Sequence, residues 1–141
     1  MKKMLIGITL LITTNAIATF NFEGKGSYSE QTLNGEQVAS GSNCEVMVDE
    51  NVVSIIHDAK IDGWDIGVRE VSLDLSTARF TNGVYKKYIG KIKQGYCGDF
   101  QSARNLKRYI KQDGKKVIYG ESYRCSFEIF KTVNEHICHL D

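Results

Sequence analysis

Ten lysines and arginines crowd into residues 84–116 against only two acidic side chains, with Tyr85, Tyr88, Tyr96, Phe100 and Tyr109 set among them. Cations interleaved with aromatic rings can hold an anionic head beside an apolar body, as on a lipid headgroup, an acidic glycan or a nucleic acid. The rest of the chain runs the other way: residues 19–83 carry eleven acidic groups and four basic ones. A formal charge of +1 overall argues against nucleic acid, whose binders are usually strongly basic domains. The competing account of the basic block is a solvated rim facing the chain's own acidic half. From the block and the lone tryptophan we take Trp64, Tyr85, Lys87, Tyr88, Lys91, Tyr96 and Arg108 as candidate ligand contacts.

Three other groupings suggest chemistry and lose it on spacing. His136 and His139 flank Cys138, but residues three apart on a strand point to opposite faces and cannot readily share an ion. Asp58, Asp62 and Asp65 resemble a calcium loop, yet Lys60 stands where an acidic ligand belongs and Arg69 where the closing glutamate should be. His57 and Asp58 are adjacent, so on a strand their side chains diverge. No Gly-x-Ser-x-Gly, P-loop or His-Glu-x-x-His motif occurs. The expectation is a non-enzymatic protein with neither cofactor nor metal.

Cys44, Cys97, Cys125 and Cys138 set the compartment. Residues 1–18 read as a secretory signal peptide: Lys2-Lys3, an apolar run from Met4 to Ile12, and a small-x-small end at Ala16-Ile17-Ala18. That apolar run is shorter than the roughly 20 residues a spanning helix needs. Cleavage near Ala18 would leave 19–141 as one domain, periplasmic or secreted, with no membrane-spanning segment and expected to be a monomer. Where thiols oxidise, an even number of cysteines reads as two disulfides. Three pairings are open. We favour Cys44–Cys97 with Cys125–Cys138, the latter joined across a four-residue loop at 130–133.

The elements that must hold these residues read as strands. Asn34-Gly35, Asn82-Gly83 and Asp113-Gly114 are hairpin signals, because the tight turns of hairpins need residues that tolerate positive φ. Asp49-Glu50-Asn51 separates two further apolar runs. Residues 71–75 alternate cleanly, and 123–129 alternate with the odd positions apolar, which predicts a strand with one buried face. Each of Asn34-Gly35 and Asp113-Gly114 is followed by a cysteine that opens an alternating run, an internal echo of two similar hairpins. Residues 84–112 read as strands, although their composition also admits one short helix. The expected fold is all-β: a small antiparallel β-barrel or β-sandwich of about eight strands built from hairpins.

Two functions fit such a chain. The first is a binding module for an apolar or amphipathic anionic ligand, lipid- or glycan-like, with the basic block at the entrance. The second is an inhibitor or immunity-type factor that blocks a secreted protein, a hydrolase, with the stiffened loop at 95–100.

Overall fold

The computed structural model describes residues 23–141. The expected signal peptide and its cleavage point lie outside them. Ten strands follow one another: β1 (Gly24–Leu33), β2 (Glu36–Gly41), β3 (Cys44–Asp49), β4 (Val52–Ile61), β5 (Trp64–Asp74), β6 (Arg79–Thr81), β7 (Val84–Ile92), β8 (Ala103–Asp113), β9 (Lys116–Cys125) and β10 (Thr132–Leu140). The helix admitted within 84–112 is absent; that stretch forms β7 and β8. A 3-10 turn at Leu75–Thr77 joins β5 to β6. No helix among the described residues is long and apolar enough to cross a membrane.

All strand pairs are antiparallel, and local turn chemistry explains much of the order. Asn34-Gly35, Asp62-Gly63 and Asn82-Gly83 each place both residues at positive φ, the backbone of a type I′ turn. Asp62-Gly63, which resembled part of an ion loop, is therefore the β4–β5 hairpin. The Asp113–Lys116 pair closes the β8–β9 hairpin, and Glu50 turns β3 into β4. The path across the sheet is β6-β7-β8-β9-β10-β1, after which β1 is shared: its first residues pair β3 and its last pair β2. β4 then pairs β3 and touches β2, and β5 lies outside β4.

The sheet folds over on itself in a sandwich-like way, with β5 against β8 and β9. Burial along β4 shows why: Val53, Ile55, His57 and Ala59 point inward while Val52, Ser54, Ile56 and Asp58 are less enclosed. The core joins Val46, Val53, Ile55 and Leu73 from one half to Tyr85, Ile110, Val117 and Tyr119 from the other. These side chains are close-packed, and burial of each large one stabilises by about 1.5–3 kcal/mol.

Both disulfides form, but with a pairing other than the favoured one: Cys44–Cys138 and Cys97–Cys125. Cys138 lies inside β10 opposite Val117, whereas Cys125 ends β9 far along the same ladder. The chain leaves the sheet after Cys125 and returns only at Thr132, so no four-residue turn brings the two together. The alternation over 123–129 is correspondingly not a buried strand face. Phe127 and Ile129 are 77% and 80% exposed. The internal echo ends here too, since Cys44 opens β3 but Cys125 closes β9.

Cys44–Cys138 clips β3 to β10 across β1, with Gly26 beneath. A Cβ at Gly26 would come within 2.8 Å of the Cys44 sulfur and collide with the His139 carbonyl, so only glycine leaves room for the crossing. Two such crosslinks accord with folding in an oxidising compartment.

Candidate functional site

The most distinctive site lies where β7, β8 and β9 approach the Cys97–Cys125 disulfide. The regular ladder breaks there. β7 slips register around Gly90, which has φ 100°, and β8 slips between Arg104 and Lys107, where Asn105 has φ 54°. Bulges of this kind bend a strand and re-aim its side chains. The register sets Tyr88 opposite Lys107, Lys107 opposite Ser122, and Arg104 opposite Arg124. An open cleft of about 300 Å³ results, lined by Tyr88, Asn105, Lys107, Ser122, Arg124 and Lys131 together with Tyr123. The Tyr88 hydroxyl reaches Asn105 Oδ1 at 3.4 Å.

Its charge is one-sided. Lys107, Arg124 and Lys131 line the cleft, and Arg104 faces Arg124 across the strands. Like charges set directly opposite one another destabilise a sheet. The ion pairs among the described residues are Arg108–Glu121 and His139–Glu30, so none of these four cations is neutralised in that way.

An exposed apolar segment joins two of the residues that line the cleft. Arg124 precedes the 126–131 connection and Lys131 ends it, and between them Phe127, Ile129 and Phe130 stand in solvent at 77%, 80% and 82% exposure. Beside it, the 93–102 connection carries Phe100 at 90%. The two loops are locked together. Besides the Cys97–Cys125 bond, Ser126 N–H donates to Ser102 O at 3.0 Å, Ser102 N–H to Ser126 Oγ at 3.2 Å, and Phe127 N–H to Gln101 Oε1 at 3.1 Å. Exposed apolar side chains grouped in this way mark interaction surfaces.

Comparison with protein-family models, with curated proteins and with solved structures finds no match to this chain.

Among the residues expected to touch a ligand, Tyr88 lines the cleft. Lys91 is exposed on β7 just past its bulge. Tyr85 is buried in the core with its ring 4.5 Å from that of Phe80, and Lys87 lies on the same side of β7 within the field of Asp74. Tyr96 and Arg108 form an internal network instead. Arg108 Nη2 donates to the Tyr96 hydroxyl at 3.0 Å, while that hydroxyl (2.8 Å) and Arg108 Nε (2.9 Å) both donate to Glu121 Oε2. The Tyr96 hydroxyl and Glu121 hold the guanidinium firmly charged, and burial pushes the Tyr96 phenol up. Trp64 is 78% exposed at the β4–β5 turn, in the other half of the sheet.

Lys107, Arg124, Lys131 and the exposed apolar segment were not singled out from the sequence. The signal was the apolar alternation itself, which an exposed loop can share with a strand when its aromatics point outward.

A second cluster joins the two halves. His57, on β4, and His136, on β10, are 2% and 7% exposed and meet at 2.9 Å between Nε2 and Nδ1. His57 Nδ1 lies 3.1 Å from the Asp58 carbonyl, which can only accept, so that nitrogen carries the hydrogen. His57 Nε2 is then the acceptor, and His136 Nδ1–H donates to it. Burial lowers both imidazoles, His136 to about 4 with His57 and Arg69 adding to the effect. His139 points the other way, against the Tyr28 ring, with Nε2 3.0 Å from Glu30 Oε2. The two histidines three apart thus face opposite sides of β10. Among the described residues no group of three His, Cys, Asp or Glu side chains could hold a metal.

Proposed function

We propose that this protein is an exported, non-enzymatic binding module, periplasmic or secreted, for an amphipathic anionic ligand. The head sits in the Tyr88 cleft on Lys107, Arg124 and Lys131, and the apolar body lies along Phe127, Ile129 and Phe130. One observation carries the reading: cations without an ion-pair partner among the described residues line a cleft, and two of them, Arg124 and Lys131, are joined by an exposed apolar segment. An anion in the cleft relieves the repulsion between Arg104 and Arg124, and the ligand's body covers apolar surface that water otherwise meets.

Calorimetric titration with decyl phosphate, decyl maltoside and inorganic phosphate tests it. Decyl phosphate binds best, because it satisfies both halves of the site. A hydrogen bond to a charged group is worth about 1.5–3 kcal/mol, roughly 10-fold to 100-fold for each, so R124E/K131E, which removes two cations, weakens decyl phosphate by about 100-fold or more. Equal affinity for the neutral maltoside, or no loss in the charge-reversed variant, refutes the assignment.

The reading of the chain as an inhibitor of a secreted hydrolase draws on Phe100, held out to solvent on a disulfide-tied loop. It makes a different demand: Phe100→Ala abolishes inhibition of a purified hydrolase while decyl phosphate binding is unchanged.

A further inference from the structure

We infer that the amphipathic partner is the surface of an anionic lipid bilayer, which the two tied loops enter as a shallow wedge; this rests on the preceding reading of the cleft. Phe100, Phe127, Ile129 and Phe130 stand on connections at the end of the strands, each at least 77% exposed. A single soluble chain lying in the cleft covers little of side chains spread over two loops. A bilayer covers all four together. Stiffness favours it as well, since the disulfide and the inter-loop hydrogen bonds order the wedge before it meets the lipid.

Charge complementarity names the lipid. Lys91, Lys93, Arg104, Lys107, Arg124 and Lys131 are all exposed on the strand ends and connections that carry the wedge. Against them stand Asp99 and Glu128, both in the tip. Six cations to two carboxylates leave these two connections and their strand ends attracted to anionic headgroups, at about fivefold in affinity for each basic residue near the surface. Glu36, at the neighbouring β1–β2 turn, is a further acid nearby. The two carboxylates also limit depth, because neither enters hydrocarbon cheaply. The rings therefore stop at the boundary between headgroups and acyl chains, where the cleft cations meet lipid phosphates.

Co-sedimentation of the folded protein with vesicles of phosphatidylcholine alone, or mixed with phosphatidylglycerol, tests this. Binding is expected only to the mixed vesicles and weakens as salt rises. F127S/I129S/F130S loses tenfold or more with little change in melting temperature, because those side chains are about four-fifths exposed, and R124E/K131E loses a similar factor. In a W64F/F130W variant the tryptophan emission shifts to the blue on binding and is quenched by brominated acyl chains; in the native chain Trp64 does neither. Decyl phosphate binding with no vesicle binding overturns the membrane inference and leaves the cleft reading standing. Failure with both probes overturns both. Vesicle binding that ignores the tip substitutions overturns the wedge, and tip substitutions that instead abolish inhibition of a hydrolase assign the loops to a protein partner.

Discussion

Lowering the pH from 7.5 to 5 should weaken this fold through the His57–His136 pair alone. The pair is buried, and its hydrogen bonding uses both imidazoles in their neutral form. A proton added to His57 Nε2 puts two N–H donors face to face; one added to His136 puts an uncompensated charge beside Tyr119 and toward Arg69. The folded state therefore resists protonation while the unfolded chain accepts it. His136 moves from its ordinary 6.5 to about 4 on folding, a difference worth about 3 kcal/mol in full.

The sign follows from linkage. Stability is fully present above about pH 6.5 and is lost as pH falls through 4, with about 2 kcal/mol gone by pH 5. His57, lowered by the same burial and opposed only in part by its bond to the Asp58 carbonyl, adds in the same direction. Urea denaturation at pH 7.5, 6 and 5 measures the fall, and the thermal midpoint drops with it by roughly 5–10 °C. The double variant H57L/H136F separates the pair from every other titrating group, because exchanging both partners for apolar side chains of similar size is nearly neutral. Its stability should stay level over the same window. A native chain as stable at pH 5 as at 7.5, or a double variant that still loses 2 kcal/mol, would refute the reasoning.

The remaining expectations concern crosslinks and packing. In the chain-entropy account, removing Cys44–Cys138, which spans 94 residues, costs about 4–5 kcal/mol. C97A/C125A, closing 28 residues, costs about 3–4 kcal/mol and makes 93–102 and 126–131 the first sites of proteolysis. Equal urea midpoints for the two variants would count against loop length as the cause. Gly120→Ala should cost about 1–3 kcal/mol, because a Cβ there collides with the Tyr109 ring, whose hydroxyl is bonded to Glu135. An unchanged midpoint would show that the ring swings aside freely.

Turn chemistry made a large part of this fold legible before any coordinates. Asn34-Gly35, Asn82-Gly83 and Asp113-Gly114 each close a hairpin, and the even cysteine count reads through to two disulfides. These are local facts, since positive φ is decided within two residues and oxidation by the compartment. The opposed directions of His136 and His139 likewise needed only the two-residue period of a strand.

What tertiary structure alone decided was which distant residues meet. Cys44 reaches Cys138 because β3 and β10 both flank β1 and Gly26 leaves the crossing open, and no spacing along the chain encodes that. His57 and His136 touch for the same reason, 79 residues apart. Arg108 and Arg124 look alike in sequence, yet Glu121 and Tyr96 hold the first while the second lines an open cleft. Apolar alternation marks a face only where another layer covers it. Past Cys125 the chain leaves the sheet until Thr132, so the pattern that promised core became an exposed apolar surface.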